Sequence, residues 1–241
     1  MKTVLAAESL FVSWQPGDWV LRDIGFSLYP GELVGIIGAS GCGKSTFCLA
    51  LAGIIPRQLP GQVEGKILLA GEDMAQLSLA DIVGNLGIVF QDPETQLFLT
   101  RVRNELAFGP ENLCLPQDEL APRVHKIAKE LGCQHLLAAN PNELSGGQQQ
   151  LVALASVLAL EPKVLILDEV TSQLDPETCQ RIQAIIRDLR QRHVAVLMVE
   201  HNLSQLAAAD RILVLRDGTI EEAGELIGEG DLSRIYGGGP S

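Results

Sequence analysis

The run Gly38-Ala39-Ser40-Gly41-Cys42-Gly43-Lys44-Ser45-Thr46 constrains this chain more than any other stretch. It fits the pattern G-x-x-x-x-G-K-[ST], and its surroundings are those the pattern needs. Leu33 to Ile37 ahead of it reads as a buried strand, and Ser45 to Ala52 has the composition of a helix ended by Gly53 and Pro56. Glycines let the backbone curl so that successive N–H groups and the helix N-terminus face phosphate oxygens. Lys44 adds a positive charge, and the Ser45 hydroxyl can ligate magnesium. A glycine turn that merely joined a strand to a helix would have no need of Lys-Ser in register.

A second feature supports the first. Val164-Leu165-Ile166-Leu167 is an apolar strand that runs into Asp168-Glu169. Asp168 can hold magnesium, directly or through water, and Glu169 can polarise a water for attack on a terminal phosphate. Alone the pattern is weak, because strands end in Asp-Glu by chance; beside a phosphate loop it gains weight.

The rest of the chain alternates in the same style. Strands are expected at Val4 to Ala7, Trp19 to Leu21, Lys66 to Leu69, Leu86 to Phe90, Val194 to Val199 and Ile212 to Leu215. Helices are expected at Glu177 to Arg192 and Leu203 to Ala209. From Leu106 to Asn140 the texture changes to helix formers broken by Pro110, Pro116 and Pro122, the mark of a helical insert. Such alternation predicts crossover units and a largely parallel sheet. The tail Gly237 to Ser241 is expected to be disordered.

Composition removes whole classes of function. A net charge of −12 with no local run of Lys or Arg argues against a nucleic-acid partner. The longest apolar stretch, Leu151 to Leu160, is half the roughly 20 residues a membrane helix takes. Met1 to Val4 leads straight into strand-like sequence, so no secretory leader is expected and the chain is placed in the cytoplasm. The five cysteines, Cys42, Cys48, Cys114, Cys133 and Cys179, have no C-x-x-C pairing and fit reduced, mostly core thiols, Cys42 excepted. His125, His135 and His193 match no motif.

Leu144-Ser145-Gly146-Gly147-Gln148 separates one class of phosphate-loop protein from the others, and here the sequence resembles the ABC ATPase family. There the Ser-Gly-Gly segment opens a helix whose N–H groups and serine hydroxyl contact the γ-phosphate held by the opposite subunit. Ser145 is expected to be a plain helix N-cap as well. The remaining family motifs follow in order: Gln91 after the strand Leu86 to Phe90, Ser172-Gln173-Leu174-Asp175 past Glu169, and His201 after Val194 to Val199. Isolated, these would be a surface amide, a helix cap and a strand-end histidine.

The resemblance covers nearly the whole chain and implies one ABC ATPase domain over residues 1–241. This is α/β, a phosphate-loop NTPase core at about 1–94 and 161–241 with an N-terminal antiparallel β region. A helical subdomain at about 95–160 carries the signature. It implies ATP and Mg2+ as cofactors, bound by residues 38–46 and, across a dimer, by Ser145, Gly146, Gly147 and Gln148. Glu169 is the implied base, with Lys44 on the phosphates, His201 on the γ-phosphate, and Gln91 beside magnesium and the attacking water. Ser45, Gln91 and Asp168 form the metal set, and Asp175 makes a link across the dimer. Trp14 falls where the family places an aromatic ring, usually Tyr, against adenine; a core or surface aromatic is the plainer alternative.

A narrower likeness lies in Val89 to Phe98 and Ala107 to Leu113, which look like the ATPases of energy-coupling-factor importers of vitamins or of cobalt and nickel ions. That resemblance implies a second ABC ATPase subunit, identical or different, a transmembrane coupling subunit and a substrate-capturing membrane protein. The chain would then lie on the inner face of the cell membrane. Another ABC importer, or a soluble ABC ATPase outside transport, is the alternative. Several positions depart from the pattern: Arg101 and Arg103 stand in a usually acidic stretch, Leu151 replaces Arg or Lys, Val170 replaces Pro, and Gln173 replaces a small residue. A chain ending near 241 is also expected to lack the C-terminal extension many of these ATPases carry.

Overall fold

The computed structural model describes residues 2–172, 174–201 and 203–222. Its strands are β1 (Leu5–Ser13), β2 (Trp19–Leu28), β3 (Leu33–Ile37), β4 (Gln62–Leu69), β5 (Glu72–Asp73), β6 (Leu86–Val89), β7 (Val164–Asp168), β8 (Ala195–Val199), β9 (Arg211–Arg216) and β10 (Thr219–Glu222). Its helices are α1 (Lys44–Leu51), α2 (Ile54–Arg57), α3 (Leu79–Val83), α4 (Val102–Asn112), α5 (Gln117–Glu130), α6 (Gly146–Leu158) and α7 (Pro176–Gln191).

Two sheets result. The first is antiparallel, in the order β2-β1-β4-β5; the second runs β10-β9-β3-β8-β7-β6, parallel except for the β9–β10 hairpin at its edge. The expected α/β class with an N-terminal antiparallel region is therefore what the chain forms. The central strands β3, β7 and β8 are buried at every position, because both faces of a parallel sheet are covered. Alternation assigns the faces. Leu33, Ile37, Leu165, Leu167, Val196 and Met198 pack with α4 to α7, while Val34, Ile36, Ile166, Leu197 and Val199 pack with α1 and the antiparallel sheet. Phe47 of α1 meets Phe26 of β2 edge-on at 5.4 Å between ring centroids, which locks the helix behind the phosphate loop to that sheet.

Three expectations need correction. Pro110 and Pro122 break nothing: they lie inside α4 and α5, and only Pro116 marks a boundary, as the residue that caps α5. Each proline removes one helix hydrogen bond. At Pro122 the carbonyl that loses its donor belongs to Asp118, and both residues are exposed, so the loss falls where solvent can reach. Leu203 to Ala209 is no helix either; it holds one 3₁₀ turn, Leu203–Leu206. The turn drops Leu206 into the space left by Gly35 of β3. Strands at the N-terminus are longer than their apolar runs, with β1 reaching Ser13 and β2 reaching Leu28. The segment 237–241 and Gln173 lie outside the described residues.

Candidate active site

The phosphate loop leaves β3 in the middle of the parallel sheet and enters α1. Gly38 has no room for a side chain: a Cβ there would collide with the Leu215 carbonyl and sit 2.7 Å from Cys42 Sγ. Gly43 caps α1 with φ of 108°, a conformation that favours glycine, and no side chain caps the helix. The first N–H groups of α1 are thus left for an external acceptor, with the positive end of the helix dipole behind them. Lys44 is buried and donates from Nζ to the carbonyls of Gly38 (3.0 Å) and Ala39 (3.2 Å). Its ammonium therefore stays folded over the loop.

The neighbouring strands deliver the acids. In the order β3-β8-β7, Asp168 ends β7 and pairs in register with Val199, which ends β8. Glu169 follows with φ of 55°, a left-handed conformation costly for a residue with a side chain. Its N–H donates to the Val199 carbonyl at 3.0 Å. That turn swings the carboxylate back over the sheet edge, where Oε1 lies 3.7 Å from Lys44 Nζ and 2.7 Å from His201 Nε2. Lys44, Glu169 and His201 come together from α1 and from beyond the ends of β7 and β8. Carboxyl-end crevices of this kind are where open α/β sheets bind ligands.

Asp168 is buried, and its Oδ1 has no hydrogen-bond partner among the described residues. Burial pushes its carboxyl above the usual range, with a hydrogen bond from the Ser45 hydroxyl pulling the other way. Within the loop, burial pushes the Cys42 thiol up against the opposing charge of Lys44. Trp14, in the turn after β1, donates from Nε1 to Thr46 Oγ1 at 3.3 Å and is 40% exposed. One ring edge is tied to α1 beside the phosphate loop, and much of the indole remains open.

Gln91 stands just past β6, exposed, at the sheet edge next to β7. Its approach is fixed by two other glutamines. Gln96 accepts from the Phe90 N–H (3.3 Å) and donates to the Ile88 carbonyl (3.2 Å), while Gln150 of α6 donates to the Phe90 carbonyl (3.2 Å).

The signature turn is elsewhere. Ser145 caps α6 in a reciprocal capping box with Gln148. A Cβ on Gly147 would sit 3.2 Å from Thr178 Oγ1 and 3.6 Å from Asp175 Oδ2, so this turn adjoins the start of α7. Among the described residues no hydrogen bond joins 145–148 to the phosphate loop. Asp175 is an exposed cap of α7, and hydrogen bonds from the Thr178 N–H and hydroxyl hold its carboxyl below the usual range.

Sequence reasoning passed over Glu200, the buried carboxyl between Val199 and His201. Its signal was available: a charged residue that continues an otherwise apolar strand. Gln96 and Gln150 carried no signal, since they act on backbone groups that only the fold brings near.

A fold of this topology with a phosphate loop, a strand-end Asp-Glu and a separate Ser-Gly-Gly helix start defines an ABC-type ATPase. The family model described as ABC transporter matches residues 21–172, and the chain belongs to that family of ATP-binding proteins. It is 41% identical to the energy-coupling factor transporter ATP-binding protein EcfA of Methanosarcina acetivorans over 90% of this chain and 78% of the relative. It is 36% identical to EcfA1 of Enterococcus faecalis, over 99% of this chain and 83% of that protein. Among solved structures, cbiO1 of Clostridium perfringens, described as part of the ABC transporter complex cbiONQ, superposes with a TM-score of 0.80 at 32% identity. The match covers 92% of this chain and 88% of that one.

Proposed function

We propose that this chain is the ATP-hydrolysing subunit of an importer of the energy-coupling-factor type, energising uptake of a vitamin or metal ion through membrane partners. The observation that carries the ATPase chemistry is the convergence of Lys44 and His201 on one oxygen of Glu169 beside an uncapped helix start. Both side chains are placed to transfer to a γ-phosphate, which would leave Glu169 free to take a proton from the attacking water.

Magnesium fits the same corner. The orphaned Asp168 oxygen and the Ser45 hydroxyl supply hard oxygen ligands, and Mg2+ ordinarily combines one or two carboxylates with phosphates and waters. Gln91 would complete the set from β6. When bound, the ion would neutralise charge on the β- and γ-phosphates; Lys44 and the α1 N–H groups orient them, and Trp14 offers its face to the adenine.

Ser145 to Gln148 and Asp175 then face a second ATPase subunit, identical or different, since they do not meet their own phosphate loop. Residues 95–160 would form the helical subdomain that carries this signature. Among the described residues no helix is long and apolar enough to cross a membrane, so transport requires a transmembrane coupling subunit and a substrate-capturing protein. The relatives named EcfA and cbiO1 favour that partner set. Purification of the chain from its native membrane with associated proteins tests the assignment. A coupling subunit and a small capture protein are expected, and recovery only in a soluble assembly without membrane protein would overturn it.

A further inference from the structure

Three consecutive residues at the end of β8 grip the turn that carries Glu169. The Val199 carbonyl accepts the Glu169 N–H, and His201 Nε2 meets the Glu169 side chain. Between them Glu200 is 2% exposed, and its Oε1 accepts from Thr171 twice, from Oγ1 at 2.7 Å and from N–H at 3.3 Å. The Glu200 N–H itself donates to Ile36 of β3 at 3.1 Å, just before the phosphate loop.

The turn needs such a grip. Glu169 holds a left-handed backbone, and conformations of that kind persist only where surroundings over-determine them. Ser172 closes the turn by donating its N–H (3.3 Å) and hydroxyl (2.9 Å) to the Glu169 carbonyl. Those bonds lie within the turn and do not fix it to the sheet. The side-chain bond that ties the far side of the turn to the sheet is the one from Thr171 to Glu200.

We infer that Glu200 is a positioning residue for the hydrolysis step: through Thr171 it holds the Glu169 turn in register with the phosphate loop. The carboxylate is spent on two donors of one residue, so it orients rather than reacts. A neutral acceptor of the same shape should serve nearly as well, and an alanine should not. The inference rests on Glu169 as the base, and its test separates the two.

The experiment is steady-state phosphate release by the full chain, with its native ATPase partner if it has one, for Glu200→Ala, Glu200→Gln, Thr171→Val, Thr171→Ser and the double variant Glu200→Ala/Thr171→Val. Loss of orientation should cut kcat about tenfold in Glu200→Ala and in Thr171→Val with KM for ATP within about twofold. The double variant should be no worse than the poorer single, because one contact is removed in all three. Glu200→Gln and Thr171→Ser, which keep the acceptor and the donor, should stay within about threefold. Hydrogen exchange over peptides spanning 169–172 supplies a readout independent of turnover: protection should fall in Glu200→Ala and hold in Glu200→Gln.

Unchanged kcat and protection in Glu200→Ala, or independent multiplicative losses in the double variant, would overturn the inference. Glu169→Gln, assayed alongside, decides the other point. If it hydrolyses ATP at the normal rate the base assignment fails, while the exchange data still report whether Glu200 secures the turn.

Discussion

His201 Nε2 lies 2.7 Å from Oε1 of Glu169, the same oxygen that Lys44 Nζ approaches at 3.7 Å. On the proposed chemistry, Lys44 and His201 would leave Glu169 for the γ-phosphate before it could act as the base. Glu169→Gln removes the base and keeps the shape, so phosphate release should fall by roughly 10²-fold to 10³-fold while ATP binding survives. Slow turnover should then trap a closed dimer with ATP inside, read by light-scattering mass of whichever subunit pair is native. A dimer that forms equally well without nucleotide would remove ATP as its adhesive.

Lys44→Ala should act at the preceding step. The side chain spans the loop by bonds to Gly38 and Ala39, so its loss removes both the loop's charge and its brace. Titration with a fluorescent ATP analogue should show binding weakened by about tenfold or more, in keeping with the strength of charge-assisted contacts. Wild-type affinity in this variant would contradict the placement.

Modification of Cys42 should block the site, because its sulfur packs against Gly38 inside the phosphate loop. Its thiol is pushed up by burial, and Cys114 is exposed, so Cys114 should react first and the assay calls for a Cys114→Ser background. In that background maleimide should abolish hydrolysis at a rate that rises with pH, and ATP should protect. Full turnover with Cys42 shown by mass spectrometry to be modified would sink the idea.

We propose that residues 91–113 face the coupling subunit, a surface that carries an aromatic pair. Phe98 and Phe108 are 63% and 42% exposed and stack edge-on at 4.9 Å, beside exposed Arg101 and Arg103. Buried Glu105 pins the Phe98 loop by accepting from the N–H groups of Phe98 and Leu99. Phe98→Ala, or charge reversal at Arg103, should weaken assembly with the membrane subunit and leave ATP binding within about twofold. Crosslinks that map the membrane subunit to the opposite side of the ATPase would refute this.

Burial raises the Glu200 carboxyl from its ordinary 4.5 to about 7, with the Thr171 hydrogen bonds opposing. A folded-state value above the unfolded one means that its contribution is full below about 4.5 and declines as pH climbs through 7, since the folded chain holds a proton the unfolded chain has released. Glu200→Gln has no such proton. Urea unfolding should therefore show the variant gaining on wild type between pH 5 and 8, by at most on the order of 3 kcal/mol. A stability difference that stays constant over that range, or moves in favour of wild type, would contradict the raised Glu200 value.

Much of this site was legible in sequence because its parts are local. A glycine loop between a strand and a helix, or Asp-Glu after four apolar residues, carries its geometry in adjacent letters. The edges of β3, β7 and β8 were legible for the same reason, as unbroken apolar runs that need cover on both faces. What escaped depends on distant neighbours. Pro122 reads as a breaker until the exposure of Asp118 is known, and Leu203 to Ala209 reads as a helix until Leu206 is seen to fill the space at Gly35 of β3. Glu200 falls between these cases: the letter was odd for a strand, but only the fold shows that it faces Thr171.

The bond from Gln150 to the Phe90 carbonyl ties the approach to Gln91 to α6, and Gln150 stands less than two turns from Ser145 on the same helix. A helix segment that short does not bend appreciably, so whatever seizes the signature turn also shifts the segment that leads to Gln91. In a dimer where Ser145 touches the neighbour's nucleotide and Gln91 its own, occupancy of one site would be mechanically reported to the other. ATP binding by the pair should then be cooperative, with a Hill coefficient above one that returns toward one in Gln150→Ala.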